Sequence, residues 1–136
     1  MNNDEEITTL GIVDFESADT KRQKLKIRLR EYALRIIRLY ESQPKHGAVH
    51  VITHQLLRSG ISPGAHYREA CRAKSNADFI SKVEGALQEL DESDYWLELL
   101  IHGSFVGESR LKGLIDETNE LIAIFVSIAL KAKARK

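Results

Sequence analysis

A single cysteine, two prolines and 7% aromatic residues in 136 positions put several kinds of protein out of reach. One thiol, Cys71, cannot close an intramolecular disulfide or build a cysteine-rich zinc site, and it suits a reducing compartment. Two Pro and eight Gly are too few turn formers for a strand-dense sandwich or barrel. No stretch approaches the roughly 18 uninterrupted apolar residues of a membrane-spanning helix. The acidic start, Asp4-Glu5-Glu6, lacks the basic flank and apolar run of a signal peptide, so a cytoplasmic protein is expected. What is present, 43% hydrophobic and 29% charged residues, has the balance of one globular domain.

Net charge is also absent, but only in the sum. Residues 1–19 carry −6, residues 20–74 carry +10, residues 75–120 carry −8, and the last 16 residues carry +4. A neutral molecule can therefore present a strongly basic segment, which attracts phosphate or docks on an acidic neighbour.

Hydrophobic spacing divides the chain into an acidic N-terminal tail, 1–19, and a helical region, 20–136. The tail has no sustained period; its Leu10 to Phe15 stretch would order only by finding a groove. Leu25, Leu29, Tyr32, Ile36 and Leu39 follow 4-3-4-3 spacing, one face of a helix capped at Thr20 and ended by Pro44 and Gly47. The next segment runs from Val49 past Tyr67 and contains Gly60, Pro63 and Gly64. One long helix, kinked near Gly60–Gly64, keeps Leu56 and Tyr67 in register and is preferred to two helices split there. Ser75-Asn76-Ala77-Asp78 resembles a capping box and opens a third helix that ends near His102-Gly103. Leu111 to Ala129 supply a fourth apolar face. Four such helices, about 22 to 28 residues and roughly 33 to 42 Å long, predict an all-α, antiparallel up-down-up-down four-helix bundle.

Chemistry-bearing patterns are sparse. His46, His50 and His54 recur every four residues, as metal ligands on one helix can, but no acid shares that turn and packed or solvated histidines are preferred. A di-metal carboxylate site needs Glu-x-x-His pairs; the chain offers only the reversed His66-Tyr67-Arg68-Glu69. Glu89 is expected to pair with Arg58 or Arg68. Cys71 has no base in support, and no phosphate loop or nucleophile elbow occurs. No enzyme activity, metal or cofactor is expected.

The first helix is different. Lys21, Arg22, Lys24, Lys26, Arg28, Arg30, Arg35 and Arg38 are interrupted by only Glu31 and Glu41. A solvated helix face usually interleaves acids. Two uses remain open: phosphate neutralisation on RNA or DNA, or packing against the acidic third and fourth helices. The apolar faces also look wide for a monomer. Ile27, Ile37, Ile61, Trp96, Ile101 and Ile124 flank the main stripes, and Gly60 and Gly64 would let another subunit approach closely.

Residues 56–97 carry a resemblance. Leu56-Leu57-Arg58-Ser59-Gly60-Ile61-Ser62-Pro63-Gly64-Ala65-His66-Tyr67-Arg68-Glu69-Ala70 is similar to the signature of a bacterial four-helix-bundle family. That family includes proteins encoded by intervening sequences in large-subunit ribosomal RNA genes. The match continues through Arg72-Ala73, Asp78-Phe79-Ile80, Glu89, Asp91-Glu92 and Tyr95-Trp96-Leu97-Glu98-Leu99-Leu100. Arg58, Ser59, Gly60, Ser62, Gly64, Arg68, Glu69, Glu89, Tyr95 and Trp96 are its structural motif residues. Two positions depart from the family pattern: Pro63 where Ile is usual, and His66 where Asn is usual. His66 either replaces an amide hydrogen bond or adds a pH-sensitive one. The resemblance implies a homopentamer and a link to the accessory variability proteins of diversity-generating retroelements, which partner with a reverse transcriptase. It leads to an expectation of a nucleic-acid-binding bundle, the alternative being an assembly module without a nucleic-acid role.

Overall fold

The computed structural model describes residues 17–135 as four successive helices: α1 Ala18–Glu41, α2 Gly47–Cys71, α3 Asn76–His102 and α4 Glu108–Lys133. No strand occurs among the described residues. Loops this short force neighbouring helices antiparallel, and α1 packs on α2, α2 on α3, and α3 on α4 as an all-α bundle. The expected stripe of α1, Leu25, Leu29, Tyr32, Ile36 and Leu39, is its buried face. Val83, Ala86, Leu90, Leu97 and Leu100 of α3 meet Leu111, Leu114, Leu121 and Phe125 of α4 in the same core.

Helix ends follow local chemistry. Ser17, not Thr20, caps α1: its hydroxyl accepts the Thr20 N–H at 3.1 Å, so the helix begins two residues before the expected boundary. The Leu10 to Phe15 stretch lies outside the described residues. Ser75 caps α3 by accepting the Asp78 N–H at 3.0 Å. Asp78 reaches back to the N–H of Lys74 rather than Ser75, one residue off a capping box.

Helix α2 passes through Pro63 as one continuous element. Proline deletes a backbone donor and costs a helix interior about 3 kcal/mol. Burial on both sides outweighs it, since Leu56, Ser59 and Gly60 precede the proline in the core and Tyr67 and Ala70 follow it. Gly60 lies against Ile36 of α1 so tightly that an added Cβ would fall 2.7 Å from Ile36 Cγ1.

The seam between α1 and α4 is the loosest in the bundle. Polar links span it: Arg28 to Glu117 and Glu120, Tyr32 to Thr118, and Arg110 to Ser42.

Candidate functional site

The basic residues of α1 divide according to what faces them. Arg22 pairs with Asp19 one turn earlier, and Arg30 lies 3.4 Å from Glu31. Arg28 crosses the open seam as a fork: Nε and Nη2 each donate to Glu117 at 2.7 Å, and Nη2 also meets Glu120 at 2.6 Å. The two carboxylates raise the Arg28 guanidinium further above its ordinary range, against the opposing effect of burial. Its charge is thus spent inside the chain.

Two basic grooves flank that bridge. Near the start of α1, a groove of about 510 Å³ has Leu25, Tyr67, Phe79, Ile124 and Ile128 along its floor, with Lys21, Arg22, Lys24, Arg28 and Arg135 at its edges. Lys26 faces an adjoining hollow with Arg72 and Cys71. Near the end of α1, a pocket of about 240 Å³ is lined by Arg35, Arg38 and Leu39 together with Arg110, Leu111 and Leu114 of α4. Charge counting along α1 missed Arg110, because it lies in an acidic stretch and joins the other two only through the antiparallel fold.

Acids gather on the far side of α4. Asp94, Glu98 and Glu108 line a separate hollow with Ile101, His102 and Ile115. Burial, then the charges of Glu98 and Asp91, hold the Asp94 carboxyl above its usual range. Helix α4 therefore presents both signs to α1, Arg110 near its start and Glu117 and Glu120 further along, while Glu108 faces Asp94 and Glu98 of α3.

The family-motif residues are spread over the α2–α3 seam and its surroundings. Arg58 donates to Glu89 at 3.1 Å and also pairs with Glu92, while Trp96 Nε1 donates to Glu92 at 3.2 Å. Ser59 and Ser93 share a buried hydrogen bond of 2.8 Å, and Ser62 donates to the Arg58 carbonyl at 2.7 Å. Glu69 pairs with Lys82. Gly64 leaves a gap beside Leu29, and Arg68 is exposed. Tyr95 is exposed with its ring against Trp96, their centroids 5.2 Å apart. Of the flanking apolar residues, Ile27, Ile37 and Ile61 are exposed, whereas Trp96, Ile101 and Ile124 rest partly on the core.

The histidines do not converge on a ligand-binding point. His50 and His54 pack with Tyr40 in a ring cluster with centroids 6.0 to 6.3 Å apart, and Lys45 Nζ sits 4.4 Å from the Tyr40 ring centroid. His66 covers Gly85 instead of supplying an amide-like hydrogen bond, since its buried Nδ1 has no partner among the described residues. No group of three or more His, Cys, Asp or Glu among the described residues could hold a metal, and no described helix is long and apolar enough to cross a membrane.

Comparison with known proteins finds a family match and matches among solved structures. A family described as 23S rRNA-intervening sequence protein matches residues 22–127. A crystal structure from Bacteroides thetaiotaomicron, of a protein with unknown function from the S23 ribosomal protein family, is 37% identical with a TM-score of 0.70. That match covers 76% of this chain and 96% of the other. No curated protein matches.

Proposed function

Since the chain belongs to the 23S rRNA-intervening sequence protein family, we propose that it is a non-enzymatic bundle that binds the phosphate backbone of RNA or DNA along the α1–α4 seam. One observation carries this reading: basic side chains of α1 edge two grooves, one toward each end of the helix beyond the Arg28 bridge, and α4 contributes to both, while Asp94 and Glu98 of α3 line a separate hollow. Phosphate contacts of this kind neutralise charge without reading bases. The bundle acts as a homo-oligomer, with five subunits as the resemblance implies. The same resemblance supports a reverse transcriptase as partner, which gene neighbourhood checks directly.

Fluorescence anisotropy with labelled RNA and DNA tests the reading. Binding at low ionic strength that weakens steeply with added salt is the expected result. Absence of binding at low salt, or binding indifferent to salt, overturns it.

The Arg28 bridge favours a second reading, an assembly module in which α1 charge serves packing alone. Purified protein would then carry no nucleic-acid absorbance, and replacing Lys24, Arg28 and Arg35 by Glu would disrupt assembly.

A further inference from the structure

Arg35 and Arg38 stand three residues apart near the end of α1 and so share a helix face. The antiparallel α4 brings Arg110, from its first turn, to the same pocket. None of the six residues lining that pocket is acidic, and its floor is Leu39, Leu111 and Leu114. Two of the three guanidinium groups are also placed from beside. Arg110 Nη2 donates to Ser42 Oγ at 2.6 Å, and Arg35 Nη2 lies over Gly113, 3.2 Å from where a Cβ would stand. Gly113 thus leaves room for the Arg35 head on α4.

Three like charges around one pocket repel unless something relieves them. Four other arginines have that relief: Arg22, Arg28, Arg30 and Arg58 each pair with a carboxylate. Arg35, Arg38 and Arg110 have no carboxylate partner among the described residues. Glu108, the acid in the first turn of α4, faces the Asp94–Glu98 side instead.

We propose that Arg35, Arg38 and Arg110 form a binding site for one phosphate group, the anchoring contact of the nucleic-acid backbone. This rests on the reading above and narrows it from a basic seam to a single pocket. Guanidinium forks match phosphate oxygens two at a time, which lysine cannot do. The positive end of the α4 dipole adds to the same potential. Lys21, Lys24 and Lys26, at the far end of α1, supply long-range attraction rather than a fixed contact.

The test uses the full chain with Arg35, Arg38 and Arg110 all changed to Gln, against a charge-matched control with Arg68, Lys74 and Lys131 changed to Gln. Circular dichroism melting establishes that both variants fold. In anisotropy titrations with single-stranded RNA and DNA, the pocket variant is expected to bind at least about tenfold more weakly than the control and to lose about 0.7 of a unit of salt slope, the share of one phosphate. Equal weakening in the two variants overturns the pocket while leaving backbone binding along the seam intact. A second arm titrates inorganic pyrophosphate and follows the arginine Nε–H signals by NMR. Shifts confined to Arg35, Arg38 and Arg110 support the pocket, and uniform or absent shifts overturn it. If the wild-type protein binds no nucleic acid but shows those confined shifts, the backbone reading fails and the pocket stands as a site for free phosphate.

Discussion

Tyr32, Ser59, Ser93 and Thr118 place one buried hydroxyl from each helix in the core. Thr118 has one proton, and Oγ1 donates it to the Leu114 carbonyl at 2.8 Å. The 2.7 Å contact between Tyr32 and Thr118 is then donated by the tyrosine. Burial pushes the Tyr32 hydroxyl up to about 12, with the hydrogen bond to Thr118 opposing it. Removing acceptor and donor should therefore cost different amounts. Thr118→Val strands a buried phenol and should cost about 1–3 kcal/mol, whereas Tyr32→Phe leaves Thr118 still donating and should cost about 0.5–1.5 kcal/mol. Urea unfolding of both variants measures the order, and the reverse order contradicts the proton assignment. Sequence reading found Tyr32 as part of an apolar stripe but not this layer. Ser and Thr on a helix face bond their own backbone or a neighbouring helix equally well, and only packing decides which.

Helices were the most legible part, because a 3.6-residue period survives in the sequence without knowledge of the neighbours. The buried stripe of α1 matches its spacing residue for residue. Continuity of α2 was a harder reading, since local breakers and tertiary burial disagree at Pro63 and burial prevails. What sequence cannot assign is the partner of a small residue. Gly60 and Gly64 share a four-residue spacing, yet an added Cβ would press on Ile36 at Gly60 and make ordinary 3.7 Å contact with Leu29 at Gly64. Gly60→Ala is accordingly expected to cost about 1–3 kcal/mol through overpacking. Gly64→Ala is expected to stabilise by up to about 1 kcal/mol, because it gains helix propensity without a clash. Thermal unfolding of the two variants separates them. Equal destabilisation would mean that the closeness of α1 to α2 at Gly60 is not what excludes a side chain there. The candidate site was half legible for a related reason: Arg35 and Arg38 lie in a visible basic run, whereas Arg110 sits in acidic sequence.

At the scale of the whole molecule, charge and apolar surface bear on the same question. A bundle closes its own core with one stripe per helix, and wider apolar faces call for another surface. Ile27, Ile37 and Ile61 remain exposed after the core is complete, and Val126 and Leu130 add a pair one turn apart on α4, with Leu130 63% exposed. Assembly would bury such residues and repeat the arginine pocket around the ring, so that weak phosphate contacts act together on one polymer. Five chains of 15.4 kDa make about 77 kDa, and light scattering on a sizing column should return that mass. A dimer or tetramer contradicts the count of five alone, while a monomer at micromolar concentration contradicts the interface. Val126→Asp with Leu130→Asp places two charges on the exposed face of α4 without touching the core, and it should shift the mass toward the single chain. If repetition of the pocket is what holds a nucleic acid, that variant loses affinity with its phosphate-binding arginines intact. Unchanged affinity in a monomeric variant would mean that each bundle binds alone.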